Sequence, residues 1–157
     1  MGRITPFLWF DHQAEEAARF YTSLFKNSAL GDISRYGEGS PGPAGSVMTV
    51  NFTLNGQDFV ALNGGPHFSF TPAVSFYVSC ETQAEVDRLW AALTDGGKES
   101  QCGWLEDRYG LSWQIVPDGL TALINGPDPV GAGRAMQAML QMSKLDIEVL
   151  RKAYEAG

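Results

Sequence analysis

His12 and His67 are the only two imidazoles in this chain of 157 residues. His67 follows Asn63-Gly64-Gly65-Pro66, and a Gly-Pro linker can hold its side chain at a cavity rim, where an imidazole titrating near neutrality moves protons. It is the candidate catalytic residue, set against the plainer reading of a surface histidine. His12 stands at a helix entrance, where a solvated or capping role accounts for it. No nucleophile stands beside a base on the strand-like segments, and Glu106-Asp107-Arg108 reads as a charged turn rather than an acid/base device. Gly37, Gly39 and Gly42 match G-x-G-x-x-G, but Pro41 and Pro43 lie within and beside it. Strand-like Val47 to Leu54 follows where a phosphate-binding turn needs a helix N-terminus, so the segment reads as a loop. Cys80 and Cys102 form no Cys-x-x-Cys pair and read as small buried hydrophobes.

The elements that must position these residues come in two copies. Phe10-Asp11-His12-Gln13-Ala14-Glu15 recurs in degenerate form as Cys80-Glu81-Thr82-Gln83-Ala84-Glu85, an offset of 70 residues from Gln13 to Gln83. At the same offset Phe20 matches Trp90, and Phe7-Leu8-Trp9-Phe10 matches Tyr77-Val78-Ser79-Cys80. A duplicated unit that cannot bury its own apolar face packs on its copy, and the seam between copies is the natural place for a ligand.

Ile4 to Phe10 is short, apolar and β-rich, which predicts a strand. Asp11 then leads into Glu15 and Glu16, where a helix N-terminus favours negative charge. Ala14, Ala17, Tyr21, Leu24 and Phe25 form one buried stripe on a helix running to about Lys26, with Asn27 as a left-handed stop. Leu30 to Tyr36 reads as a strand and Gly37 to Ser46 as a loop; Val47 to Leu54 and Gln57 to Leu62 make a hairpin around Asn55-Gly56. This first module, residues 3–63, reads β-α-β-β-β. In the second, residues 72–119, Val74 to Val78 opens. Thr82 and Glu85 make a capping box, Val86, Leu89, Trp90 and Leu93 supply the helical stripe, and strands fit Gln101 to Glu106 and Leu111 to Val116. Residues 120–157 read as a helical tail with methionine-rich apolar faces.

Composition bounds the rest. With 44% hydrophobic and 18% charged residues the chain supports one compact domain of two modules. A net charge of −7 with 11 scattered Lys and Arg argues against nucleic acid as a partner. No secretory signal and no apolar run of about 18 residues is present, so no membrane partner and a cytoplasmic location are expected.

Two stretches carry a family likeness: Asn63-Gly64-Gly65-Pro66-His67-Phe68 running into Ala73-Val74-Ser75-Phe76-Tyr77-Val78, and Cys102-Gly103-Trp104-Leu105 running through Asp107, Tyr109-Gly110 and Trp113-Gln114-Ile115-Val116-Pro117. Phe10-Asp11 with Ala14-Glu15-Glu16-Ala17, Phe20-Tyr21 and the tail Met142-Ser143-Lys144-Leu145-Asp146 extend it. They resemble the PhnB-like branch of the glyoxalase / vicinal oxygen chelate superfamily, whose members are often labelled 3-demethylubiquinone-9 3-methyltransferase. The resemblance implies an α+β fold in which two βαβββ modules form a half-barrel cup, commonly as a homodimer. Metal-using members place ligands on four inward strand positions, which fall here at Thr5, Val60 or Ala61, Ser75 and Gln114. Only the Gln114 amide oxygen among these binds divalent cations at all, so no metal and no cofactor is expected.

Strand parity within such a cup points Thr5, Phe7 and Trp9 inward from the first module and Ser75, Tyr77, Ser79, Ser112, Gln114 and Val116 from the second. Thr5, Phe7, Trp9, Asn63, Ser75, Tyr77 and Gln114 are accordingly the candidate ligand-binding residues, for a small apolar or aromatic molecule held without a metal. Two alternatives stay open. One is an enzyme of the same superfamily, either a metal-free isomerase or methyltransferase using His67, or a metal-dependent lyase or dioxygenase with its ligands elsewhere. The other is an interaction module whose tail holds a partner and whose cup is vestigial.

Overall fold

The computed structural model describes residues 2–156, which divide into two compact units with the boundary between Phe70 and Thr71. The first unit runs β1 (Phe7–Phe10), α1 (Ala14–Leu24), β2 (Ala29–Arg35), β3 (Val47–Leu54) and β4 (Gln57–Asn63). Its sheet has the order β1-β4-β3-β2, with β1 parallel to β4 and the other pairs antiparallel. The second unit repeats the plan with β5 (Ser75–Cys80), α2 (Gln83–Thr94), β6 (Lys98–Glu99), β7 (Trp104–Glu106) and β8 (Ser112–Pro117), in the order β5-β8-β7-β6. The expected α+β class and the two βαβββ modules are therefore present, as two mixed four-stranded sheets.

The duplication holds at the level of register. Phe7 pairs with Val60 in the first sheet, and Tyr77, 70 residues on, pairs with Gln114 in the second. In each copy one face of the sheet takes the helix, as the period-two pattern requires. Leu8, Phe10, Val50, Phe52, Phe59 and Ala61 are buried with Ala14, Ala17 and Tyr21 of α1. Cys80, Leu105, Trp113 and Ile115 are buried with Val86, Leu89, Trp90 and Leu93 of α2.

Several boundaries differ from the sequence reading. β1 opens at Phe7 rather than Ile4, because Pro6 has no N–H for a ladder, although its carbonyl still accepts from Val60 N at 3.0 Å. The expected strand from Gln101 to Glu106 is shortened to β7 by Cys102 and Gly103, both at positive φ, and the short β6 ahead of them was not expected. Gly103 is obligatory there, since a Cβ would lie 2.9 Å from Leu145 Cδ1 and 3.0 Å from the Ile115 carbonyl oxygen. The capping box forms in part: Thr82 Oγ1 accepts from Glu85 N at 3.2 Å, while the Glu85 carboxylate reaches back to Glu81 N rather than to Thr82 N.

Beyond β8 the expected helical tail forms as α3 (Gly119–Ile124), α4 (Pro129–Leu140) and α5 (Ile147–Glu155). They belong to the second unit. The Gln83 side chain at the head of α2 donates to Leu145 O and accepts from Ile147 N, both at 2.9 Å. Cys102 N and Gly103 N donate to the Met142 and Ser143 carbonyls at 2.8 Å. Lys144 Nζ lies 2.8 Å from Asp87 Oδ1, and that pairing holds the Asp87 carboxyl below the usual carboxylate range. Leu145 and Leu150 are fully buried beneath these links.

Candidate functional site

The helix-free face of each sheet carries a hollow, and the register puts the two hollows at the same place in the repeat. In the first unit a hollow of about 370 Å³ is lined by Thr5, Gly31, Asn51, Thr53, Asp58 and Val60, among others. In the second a hollow of about 330 Å³ is lined by Lys98, Ser100, Trp104, Glu106 and Ser112, with Glu99, Leu105 and Pro72. The cross-strand row Ala29, Thr53, Asp58 corresponds to Lys98, Glu106, Ser112, and the row Asn51, Val60, Phe7 to Trp104, Gln114, Tyr77. The sequence hides this equivalence because the loops differ in length. The offset is 70 between β1 and β5, but 54 between Val60 and Gln114.

Each sequence-predicted residue has a definite place. Thr5 lines the first hollow, and Phe7 stands beside it with 63% of its surface exposed. Trp9 lies on the same face but is engaged: its Nε1 donates to Gly65 O at 2.9 Å, and Phe68 meets its ring edge-on at 4.9 Å. The indole also covers Gly64, where any Cβ would collide with the ring at 2.3 Å. Ser75 and Gln114 are joined directly, Gln114 Nε2 donating to Ser75 Oγ at 2.9 Å, and Tyr77, paired with Gln114, is 55% exposed.

Asn63 and His67 lie elsewhere, in a cleft of about 610 Å³ that they share with Asp11, His12, Glu15, Tyr36 and the Pro41-Gly42-Pro43 segment. Asn63 builds that cleft, and each polar atom of its side chain already has a protein partner. Its Oδ1 accepts from Ala14 N at 2.8 Å, supplying the cap that α1 lacks locally, its Nδ2 donates to Val47 O at 3.1 Å, and its carbonyl accepts from the Tyr36 hydroxyl. The two histidines, 55 positions apart, both reach the rim of this cleft, and both are exposed; His12 Nδ1 sits 3.6 Å from Asp11 Oδ2. No short-range pattern signals that meeting, which the parallel pairing of β1 with β4 brings about.

The four strand positions and the glycine loop match neither a metal-ligand set nor a nucleotide cradle. Thr5, Val60, Ser75 and Gln114 occupy the four strand positions and offer no imidazole or carboxylate. Among the described residues no three His, Cys, Asp or Glu side chains gather as a metal set. The Gly37-Gly39-Gly42 loop runs into β3 rather than a helix, and Gly42 lies flat on the Tyr36 ring, so it makes no glycine-rich cradle for a nucleotide-like cofactor. Cys80 is no nucleophile: burial, reinforced by Glu85 and Asp118, pushes its thiol up to about 11. Sequence reasoning missed one buried charge. Asp107 Oδ1 accepts from Tyr109 N and Leu111 N at 2.9 and 3.1 Å, and Oδ2 from Trp113 Nε1 at 2.9 Å, which fixes the turn into β8. Among the described residues no helix is long and apolar enough to cross a membrane.

With this geometry in hand, comparison places the chain. The model of the 3-demethylubiquinone-9 3-methyltransferase family matches residues 2–116, ending before α3. The PhnB protein from Bacillus cereus is 44% identical over 74% of this chain and 99% of its own, with a TM-score of 0.68. Protein PA1353 from Pseudomonas aeruginosa shares the fold at 23% identity and a TM-score of 0.61, covering 75% of this chain and all of its own. A gene product of Arabidopsis thaliana shares it at 19% identity and a TM-score of 0.50, over 72% of this chain and 96% of its own. No curated protein matches. By motif, duplicated topology and sequence identity, the chain belongs to the 3-demethylubiquinone-9 3-methyltransferase family.

Proposed function

We propose that this chain binds a small apolar or aromatic molecule on the helix-free faces of its sheets, without a metal or cofactor. The observation that carries the reading is the pair Phe7 and Tyr77. These repeat-equivalent aromatics stand 63% and 55% exposed beside neutral hydrogen-bonding groups, Thr5 in one case and the Ser75–Gln114 couple in the other. An exposed aromatic leaves apolar surface in contact with water, and a planar ligand that covers it removes that surface from water at a gain. Trp9 and Asn63 serve the site from behind, by fixing the 63–68 segment. The same reading takes the protein as a homodimer, with the exposed Val130, Leu140 and Val149 of the tail as material for the contact.

The test is a thermal-shift screen of the purified chain against neutral aromatics, aliphatic acids, sugar phosphates and divalent cations. Stabilisation by neutral aromatics that is lost in both Phe7→Ala and Tyr77→Ala supports the reading. Stabilisation by a divalent cation alone overturns it. A second reading, proton-transfer catalysis, is favoured by one observation only, the meeting of His12 and His67 in the 610 Å³ cleft.

A further inference from the structure

The cleft of about 610 Å³ in the first unit is larger than either sheet-face hollow, and the aromatic-binding reading leaves it without a ligand. It lies where the parallel strands β1 and β4 both end. Phe10 and Asn63 are the last pair of the ladder, and Gly64 N and Gly65 N extend it by donating to the Phe10 and Asp11 carbonyls at 2.9 and 3.2 Å. A crevice beyond the carboxyl ends of parallel strands, beside the start of a helix, is where open sheets with crossover helices hold their ligands. The two copies part company at this end of the sheet. In the second, Pro117 stands where the first has Asn63, α3 begins two residues later, and Thr82 caps α2 with its own hydroxyl. In the first, His12 occupies the position of Thr82 and makes no capping bond, because Asn63 Oδ1 takes the Ala14 N–H at 2.8 Å. The structural duty of position 12 has passed to a distant amide, and the imidazole in its place lines the cleft.

The lining selects the ligand. Asp11 is half exposed and 3.6 Å from His12, and Glu15 gives only Oε2 to Arg19, at 2.7 and 3.1 Å. The Tyr36 and Ser46 hydroxyls use their protons on the Asn63 and Pro43 carbonyls, so toward the cleft both are acceptors. An anion would face two carboxylates with no lysine or arginine on the walls. A cation finds neither carboxylate buried, and one of them is already paired. An apolar body would strip water from these acceptors and return no hydrogen bond. A neutral molecule rich in hydroxyls meets all of these conditions, since each hydroxyl donates to a carboxylate or an oxygen acceptor and can also accept from an imidazole. We propose that this cleft binds a neutral polyhydroxylated molecule of monosaccharide size, whose hydroxyls donate to Asp11, Glu15 and Ser46 and exchange hydrogen bonds with His12 and His67. Pro41, Pro43 and Pro66 supply wall surface for the C–H faces of such a ring. The site does not rest on the aromatic-binding reading, from which it differs in place, in lining and in the polarity of its ligand.

With only two histidines in the chain, their imidazole C–H resonances report on the cleft directly, and His67→Gln assigns them. The full chain is titrated at constant pH and ionic strength with glucose, galactose and myo-inositol, then with inorganic phosphate, propylamine and benzyl alcohol. At least one of the three polyols shifts both imidazole signals, and the other three probes shift them less at equal concentration. Asp11→Asn weakens the polyol's binding about threefold. His12→Thr, which installs the second copy's residue, weakens it about fivefold while the urea midpoint stays at or above that of the parent, a combination that misfolding cannot mimic. Asp11 and His12 are both exposed, so neither variant opens the core. Imidazole signals unmoved by all three polyols overturn the proposal, as does an equal or larger response to phosphate, propylamine or benzyl alcohol, or unchanged affinity in His12→Thr. A cleft silent to polyols leaves binding at Phe7 and Tyr77 standing, and loss of the aromatic response in Phe7→Ala leaves the polyol site standing.

Discussion

Gln114 and Ser75 sit on adjacent parallel strands and satisfy one another, the amide nitrogen donating to the hydroxyl at 2.9 Å. Both groups are half-buried, so the pair gives the second sheet a fixed polar patch that leaves the Gln114 oxygen pointing to a defined place. Replacing Gln114 by Ala costs about 1 kcal/mol of stability, one net hydrogen bond, and lowers affinity for a bound aromatic about threefold or more. Urea unfolding and ligand titration on the same sample separate the two effects.

Asn63→Ala removes two services at one position, since the side chain caps α1 and ties Val47, while the backbone carbonyl anchors Tyr36. The carbonyl survives the substitution, so the expected loss is about 2 kcal/mol from the cap and the amide bond. Hydrogen exchange at the first turn of α1 rises before any change in the second unit.

Asp107→Asn is predicted to be worse than its size suggests. The carboxylate accepts from two backbone N–H groups and the Trp113 indole, and an amide must aim its own N–H at one of these donors. About 3 kcal/mol of stability is lost. Trp113 fluorescence, read in a variant lacking the other tryptophans, shifts to the red as the indole reaches water.

Cys80 supplies a pH signature. Its thiol is raised from 9.0 to about 11, chiefly by burial. The folded state keeps the proton that the unfolded chain releases, so stability is unaffected below pH 9 and falls as pH rises from about 9 to 11. Cys80→Ala flattens that decline in urea titrations taken across this range. At pH 8 a thiol reagent modifies Cys102, which is half-buried, well before Cys80.

Leu145→Ala costs about 3 kcal/mol, a fully buried leucine with no room for collapse around Gly103. Truncation after Asp128 goes further and leaves the second unit unfolded, with an unfolding transition for the first unit alone. A truncated chain with an unchanged two-unit melt contradicts this.

The repeat, both helices and the Asn55-Gly56 hairpin were legible because each rests on local chemistry: a capping pair, an apolar stripe, a turn that needs positive φ at Asn55 and Gly56. Parity also placed Phe7, Ser75, Tyr77 and Gln114 on the helix-free faces. What escaped was whatever depends on distant segments meeting. The cap for α1 comes from 49 residues downstream, β6 and β7 are separated by a turn whose glycine answers to Leu145, and the second hollow is offset from the first by unequal loops. The tail was read as lying outside the duplicated body, yet Gln83 ties it to the head of α2; a lone glutamine at a helix start gives no hint of a partner 62 residues away.

That strap has a consequence for biogenesis. The opening unit contains all of its own sheet and helix partners and is able to mature while synthesis continues. Its twin lacks the partners of Cys102, Gly103 and Gln83 until residues 142–147 emerge, so the ribosome delivers one finished half and one half still open at those points. Slow codons or a stalled ribosome ahead of residues 142–147 would therefore expose the younger copy to chaperones and proteases, and spare the elder.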